Sequence, residues 1–338
     1  MEAEPLKINI NVTRLSSEIS NLLVISNYDC LIYRSMSTIF IVSAIIFFIL
    51  NIRFLVIDRR RLNPFALNLI INALISISFT LPYIAIQAIH CHPIQEYIVC
   101  HLQAFICFTC GICVMYTVSL LAVVQYIRLF YNSSILHKIF EHKNNFLIPA
   151  VCWLISLMWS FPPFINIKPG FKREGKGFDC GINWGVNDLR SCLYILLVFL
   201  FIYFLPLFCL IYTNMRILKT IRKLIYRRNS LRPKATVDII PRDSRHHFIN
   251  VFTVAESNRL KRLRIDRKFA QAVMITVIHY LLAWTPYATC AIIQLATAMT
   301  YIQYQVPPML IAGSALLAKM AIMGQSCVYF YTVRSFSR

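Results

Sequence analysis

Met309-Leu-Ile-Ala-Gly-Ser-Ala-Leu-Leu-Ala-Lys319-Met-Ala-Ile-Met-Gly324 opens an apolar run that continues to Phe330. The run is long enough to cross a bilayer as a helix. Lys319 stands about ten residues from either end, roughly 15 Å at helical rise, beyond the reach of a lysine that snorkels to the headgroups. A charge at that depth is costly unless paired, and its default reading is functional. An unpaired Lys319 would be a neutral amine, the nucleophile that forms a Schiff base with an aldehyde. A lysine facing a wet cavity, or holding an anionic ligand, is the other reading the residue allows.

The rest of the chain agrees with a membrane setting. Of 338 residues, 58% are hydrophobic and only 14% charged, with a mean hydropathy of +0.62. A soluble domain cannot hide that much apolar surface. Apolar runs fall at about 35–57, 65–88, 98–130, 146–164, 192–215, 269–295 and 306–332. They predict an all-α membrane protein, a seven-transmembrane helix bundle over 35–333 without internal repeats. Residues 1–34 form a polar segment before it and 334–338 a short end after it. The first segment lacks an apolar signal core, so the first span is expected to serve as the targeting signal.

The net charge of +20 is not a nucleic-acid footprint, because 16 of the 34 Lys and Arg lie in one loop, 216–268. Arg59, Arg60, Arg61, Lys138 and Lys143 fall in other loops on the same side, which the positive-inside rule makes cytoplasmic. The N-terminus is then extracellular and the C-terminus cytoplasmic, at the cell membrane. The sequon Asn11-Val12-Thr13 lies on the glycosylatable side, whereas Asn132-Ser133-Ser134 lies inside and is silent. The basic loop can attract anionic membrane lipid, although a solvated loop obeying insertion rules is the plainer account.

Most of the 12 cysteines lie within the spans and read as small packing residues. Cys107, Cys110 and Cys113 share one helical stripe with no His or acid beside them, so no metal site is expected there. Cys100 and Cys180 both face the oxidising side, where a disulfide is expected. Cys30 and Cys91 share that side, and their pairing stays open.

None of the seven runs contains an Asp or Glu. Proton pumps and ion-coupled transporters place carboxylates at the midplane, so that class is disfavoured. If Lys319 becomes a protonated Schiff base, its partner must come from a loop. Glu174 and Asp179 stand just before Cys180, and a disulfide pinning this loop across the third span would bring such an acid to the pocket. In the sixth span, Ala283-Trp284-Thr285-Pro286-Tyr287 joins a helix-kinking proline to bulky aromatics, a candidate rotation point. Pro206 and Pro162-Pro163 add further kinks. His279 reads as a hydrogen-bonded packing residue.

Together these features resemble an animal opsin, within the rhodopsin-like G-protein-coupled receptors. The resemblance covers nearly the whole chain from Asn51 to Phe336. It is carried by Leu317-Ala318-Lys319 ten residues before Tyr329, by Trp284-x-Pro286-Tyr287, and by Trp153 nine residues before Pro162-Pro163. The loop Glu174-Gly175-Lys176-Gly177-Phe178-Asp179-Cys180-Gly181-Ile182-Asn183-Trp184 looks like the opsin plug, with its glutamate six before the cysteine. The resemblance implies that Lys319 binds retinal as a Schiff base and that Glu174 is the counterion. It also implies that Trp284, Tyr287 and Gly111 line the chromophore. The counterion position of vertebrate visual pigments, three after the third-span cysteine, is Gln103 and carries no charge.

The departures cluster at the signalling end. The Glu/Asp-Arg-Tyr triplet reads Val124-Gln125-Tyr126, with Arg128 nearly one turn on as a partial substitute. Asp266 matches the acid that normally holds the missing arginine. Asn-Pro-x-x-Tyr is reduced to Tyr329 in Gln325-Ser326-Cys327-Val328-Tyr329, and the usual second-span aspartate has no equivalent. The chain ends two residues past Phe336, without a tail for phosphorylation or palmitoylation. This pattern is like that of photoisomerase-type and other divergent non-visual opsins. The expected function is a retinal-binding photoreceptor or photoisomerase, not a conventional enzyme, with weak or atypical coupling to a heterotrimeric G protein. The alternatives are a fully signalling photoreceptor that uses Arg128, and a light-independent, opsin-derived chemoreceptor.

Overall fold

The structure, a computed structural model, describes residues 27–57, 63–91, 96–130, 146–167, 169–230, 242–300 and 305–337. Seven of its helices are long and apolar enough to cross a membrane, and this is a multi-pass membrane protein. They are α1 (Asn27–Ile57), α2 (Pro64–His90), α3 (Tyr97–Phe130), α4 (Leu147–Phe164), α5, α6 (Arg242–Thr300) and α7 (Pro308–Ser337). Helix α5 runs through Leu189–Val198, a π-helical stretch Phe199–Phe204 and then Leu205–Ser230. The π stretch stands just before Pro206, where the missing proline N–H breaks the regular ladder. Between α4 and α5 lies an antiparallel hairpin of β1 (Phe171–Glu174) and β2 (Asp179–Ile182).

All seven apolar runs are helices, but several extend beyond them. Helix α1 starts at Asn27 rather than 35. Much of 216–268, expected as a basic loop, is helical, through Ser230 in α5 and from Arg242 in α6. Hydropathy marks the thickness of the bilayer, not the end of the hydrogen-bonded helix. The segment is rich in Lys, Arg, Leu and Ile, which continue a helix at little cost. Its only prolines, Pro233 and Pro241, fall between the two helical stretches.

Burial identifies the central helices. Within their apolar windows 78% of α7 and 72% of α3 is buried, against 22% for α1 and α4. The outer helices turn residues such as Ile39, Val42, Leu154 and Met158 outward, toward lipid. Hydrocarbon offers no partner for a polar group, so buried side chains bond across helices. Trp153 Nε1 of α4 donates to Asn68 Oδ1 of α2 at 2.8 Å, and Asn68 Nδ2 donates to Thr117 Oγ1 of α3 at 2.7 Å. Ser326 Oγ of α7 donates to Asn51 Oδ1 of α1 at 2.5 Å. Each such bond contributes about 0.6–2 kcal/mol. Asn63 caps α2, accepting from the Ala66 N–H at 2.7 Å ahead of Pro64 at the first helical position.

Candidate functional site

The site is built where α7 meets the hairpin. Lys319 is buried, and its Nζ donates to Asp179 Oδ1 in an ion pair. The same oxygen accepts from the Cys180 backbone N–H at 2.8 Å and from Gln103 Nε2 of α3 at 3.4 Å. Cys180 is disulfide-bonded to Cys100 at the start of α3, as its position in the sequence suggested. The disulfide therefore fixes the residue next to Asp179 against the bundle.

Strand register explains which acid reaches the lysine. Phe171 pairs with Ile182, Lys172 with Gly181, Arg173 with Cys180 and Glu174 with Asp179. Glu174 and Asp179 are thus the last pair before the turn, and only Asp179 adjoins the disulfide. Glu174, which the resemblance set against Lys319, takes another partner: its Oε2 accepts from Tyr287 Oη at 3.0 Å, and Tyr287 Oη accepts from Trp184 Nε1 at 3.2 Å. Gly181 makes that arrangement possible. A Cβ there would stand 2.6 Å from Glu174 Oε2 and 2.7 Å from Tyr287 Oη.

Burial, and after it the neighbouring charge of Asp179, raise the Glu174 carboxyl from its ordinary 4.5 to about 8, despite the Tyr287 bond and Lys319 acting the other way. At neutral pH Glu174 is therefore a neutral acid beside the Lys319–Asp179 ion pair. The folded chain keeps a proton on Glu174 that the unfolded chain releases above the ordinary value. This contribution to stability is complete below pH 4.5 and is lost as pH rises through about 8. A Glu174→Gln variant is expected to flatten that part of the pH profile, read as thermal inactivation midpoint from pH 5 to 9. An unchanged slope would show that another group produces it.

Beside the ion pair is a partly open cavity, about 800 Å³ when the space at its mouth is counted. Phe108, Phe171, Trp184, Phe199, Trp284 and Tyr287 contribute its aromatic walls, and Lys319 and Asp179 its charged end. Trp284 and Tyr287, the two aromatics that the resemblance set around a chromophore, both line it. Gly111 stands behind Trp284 instead, where a Cβ would come within 2.9 Å of the indole. Among the described residues no donor reaches Asp179 Oδ2, Glu174 Oε1 or Gln103 Oε1, all buried.

A family model described as "7 transmembrane receptor (rhodopsin family)" matches residues 44–327. The chain belongs to the rhodopsin family of seven-transmembrane receptors. Its relatives place it among the animal opsins. Melanopsin-A of Danio rerio is 27% identical over 81% of this chain and 42% of its own length. A compound eye opsin of Hemigrapsus sanguineus is 25% identical over 68% and 55%, and vertebrate ancient opsin of Salmo salar is 24% identical over 69% and 60%. The receptor thus spans less than two thirds of the length of each of these relatives. The crystal structure of squid rhodopsin matches its fold with a TM-score of 0.65, at 18% identity over 90% of this chain and 81% of that one.

At the other end of the receptor, Tyr329 Oη accepts from Asn63 Nδ2 at 2.9 Å, and the Tyr126 ring lies 6.3 Å from that of Tyr212. The side chains of Gln125, Arg128 and Asp266, and the whole of Asn11, lie outside the described residues. Gln325, where the family carries asparagine, joins α7 to α6. Its Oε1 is 2.9 Å from His279 Nδ1 and its Nε2 donates to the Thr276 carbonyl at 2.8 Å.

Removing either half of the hairpin's disulfide, by Cys100→Ser or Cys180→Ser, is expected to cost about 2–4 kcal/mol and to free the segment holding Asp179. The check is thermal inactivation and ligand retention of the purified variants. Wild-type values for both would show that strand pairing alone holds the hairpin.

Proposed function

We propose that the receptor is a light-sensing pigment that carries retinal as a Schiff base on Lys319, with Asp179 as the anion that balances the charge. The observation that carries this reading is a buried lysine, ion-paired to a loop acid, at the charged end of an aromatic cavity. The residues fit the group: an apolar polyene matches the aromatic walls, and one amine stands at one end. Retinal supplies the absorbing polyene and its light-driven cis–trans isomerisation. The chain does the rest. Asp179 stabilises the cation and Gln103 orients the carboxylate. The hairpin and its disulfide exclude water. Glu174 stays neutral, with Tyr287 bonded to it, and Trp284 couples the cavity to the kink at Pro286. The resemblance to opsins supports the retinal assignment, and the basic residues of α5, α6 and their connection support a hairpin end that faces outside, with Asn11 glycosylated there. The test is absorbance: retinal added in the dark should give a visible band, and a chain that gives none is a chemoreceptor.

Coupling to a heterotrimeric G protein is proposed to be weak. With Gln125 in place of arginine, the ion pair that arginine would make with Asp266 cannot form, and Gln325 ties α6 to α7 directly. One buried and one partly buried bond, at about 1 kcal/mol each, predict that Gln325→Ala raises light-dependent nucleotide exchange by up to about thirtyfold. Gln125→Arg should raise it too. The similarity to melanopsins favours a second reading, a fully signalling photoreceptor. Robust wild-type exchange, abolished by Arg128→Ala, would establish that one.

A further inference from the structure

The turn that delivers Asp179 packs on α7, where a Cβ on Gly175 would stand 2.7 Å from Ala312, and it is held from two further sides, one of them the Cys100–Cys180 bridge. On the other side it bears on α1. Lys176 Nζ is ion-paired with Asp29. The Tyr33 ring stacks on Phe178, with centroids 4.0 Å apart and planes 15° from parallel. Tyr33 Oη donates to Gln87 Oε1 at 2.8 Å and lies 3.4 Å from the Phe178 carbonyl oxygen. Lys176 has a φ of +60°, a left-handed conformation uncommon for a residue with a side chain and maintained by its surroundings.

The end of α1 is in turn fixed to α2. Cys30, between Asp29 and the turn bearing Tyr33, is disulfide-bonded to Cys91. Arg34 Nε and Nη2 donate to the Ala88 and Ile89 carbonyls, each at 3.0 Å. Helix α1 is peripheral, with 22% of its apolar window buried, and these ties fix the position of its end. The Lys176–Asp29 pair is partly exposed, at 28% and 15%, and such pairs contribute little unless their geometry is set beforehand. A fixed α1 end supplies that geometry.

We propose that the Cys30–Cys91 disulfide is a positioning element for the Lys319–Asp179 pair, holding the α1 end whose Asp29 and Tyr33 keep the hairpin turn, and with it Asp179, against the lysine. This rests on Asp179 as the balancing anion. The bridge acts at a distance: it touches neither Lys319 nor the cavity, and its effect travels through Lys176 and Phe178 to the next residue.

The test uses the full chain reconstituted with retinal, in three variants: Cys30→Ser with Cys91→Ser, Lys176→Gln, and all three changes together. The readouts are the alkaline midpoint of the visible band, the rate of dark bleaching by hydroxylamine, and the thermal midpoint. The double cysteine variant and Lys176→Gln should each lower the alkaline midpoint by about one pH unit and speed bleaching several-fold. The triple variant should add little, since the changes share one path. A bridge that merely stabilises the fold would lower the thermal midpoint and leave the alkaline midpoint and bleaching rate at wild-type values, which overturns the proposal. If the cysteine variant does not fold, Lys176→Gln and Tyr33→Leu, with both bridges intact, decide by the same midpoint. Asp179→Asn is the separate control. If it leaves the alkaline midpoint unmoved, the counterion reading fails by itself, and hydroxylamine access still judges the bridge: faster bleaching supports it and a wild-type rate rejects it.

Discussion

Alanine at position 319 is expected to abolish the visible pigment completely. The aromatic cavity could still admit an apolar aldehyde, but without the amine there is no covalent link and no cation for Asp179 to balance. Lys319→Ala would leave Asp179 with only Gln103 and the Cys180 N–H as described donors. The check is difference absorbance of purified wild type and variant after dark incubation with retinal. An unchanged, acid-stable visible band in the variant would refute Lys319 as the attachment site.

The second large effect belongs to Asp179. In Asp179→Asn the buried cation loses the group it contacts. The remaining acid, Glu174, is neutral at pH 7 because its carboxyl is raised to about 8. Absorption at neutral pH should therefore move from the visible toward the ultraviolet, with the alkaline midpoint of the visible band falling by at least about two pH units. Acid, or an added halide that enters in place of the carboxylate, should partly restore the band. Glu174→Gln should do much less. The reverse order of effects, a large shift in Glu174→Gln and none in Asp179→Asn, would restore the assignment that the opsin resemblance implies and reject the one drawn from strand register.

Much of the architecture was legible because hydropathy measures what a bilayer requires. Each of the seven runs is long enough to span, and each became a helix. Lys319 was legible for the same reason, as a single charge amid residues that match lipid. Less was legible where structure depends on pairing rather than on solvent. The sequence offered Glu174 and Asp179 as two loop acids five residues apart, and nothing in it sets the register that places one on Lys319 and the other on Tyr287. The Gly181 that clears space for the second contact reads as an ordinary loop glycine until Cβ distances are measured. Helix ends were equally hidden. The first eight residues of α1 precede the apolar run, so Cys30, and with it the bridge to Cys91 and the Asp29–Lys176 contact, fell in a segment that looked like an irregular tail. The Gln325–His279 bond across α6 and α7 was half visible: His279 read as a hydrogen-bonded residue, but its partner lies 46 positions away.

The most direct measurement of the central claim is the dark absorbance spectrum of the purified full chain after addition of retinal, followed by acid denaturation of the same sample. A Schiff base on Lys319 balanced by Asp179 predicts a visible band at neutral pH. On denaturation that band should collapse to the spectrum of a protonated retinyl imine still attached to protein. Only the ultraviolet band of free retinal, before and after acid, would contradict it.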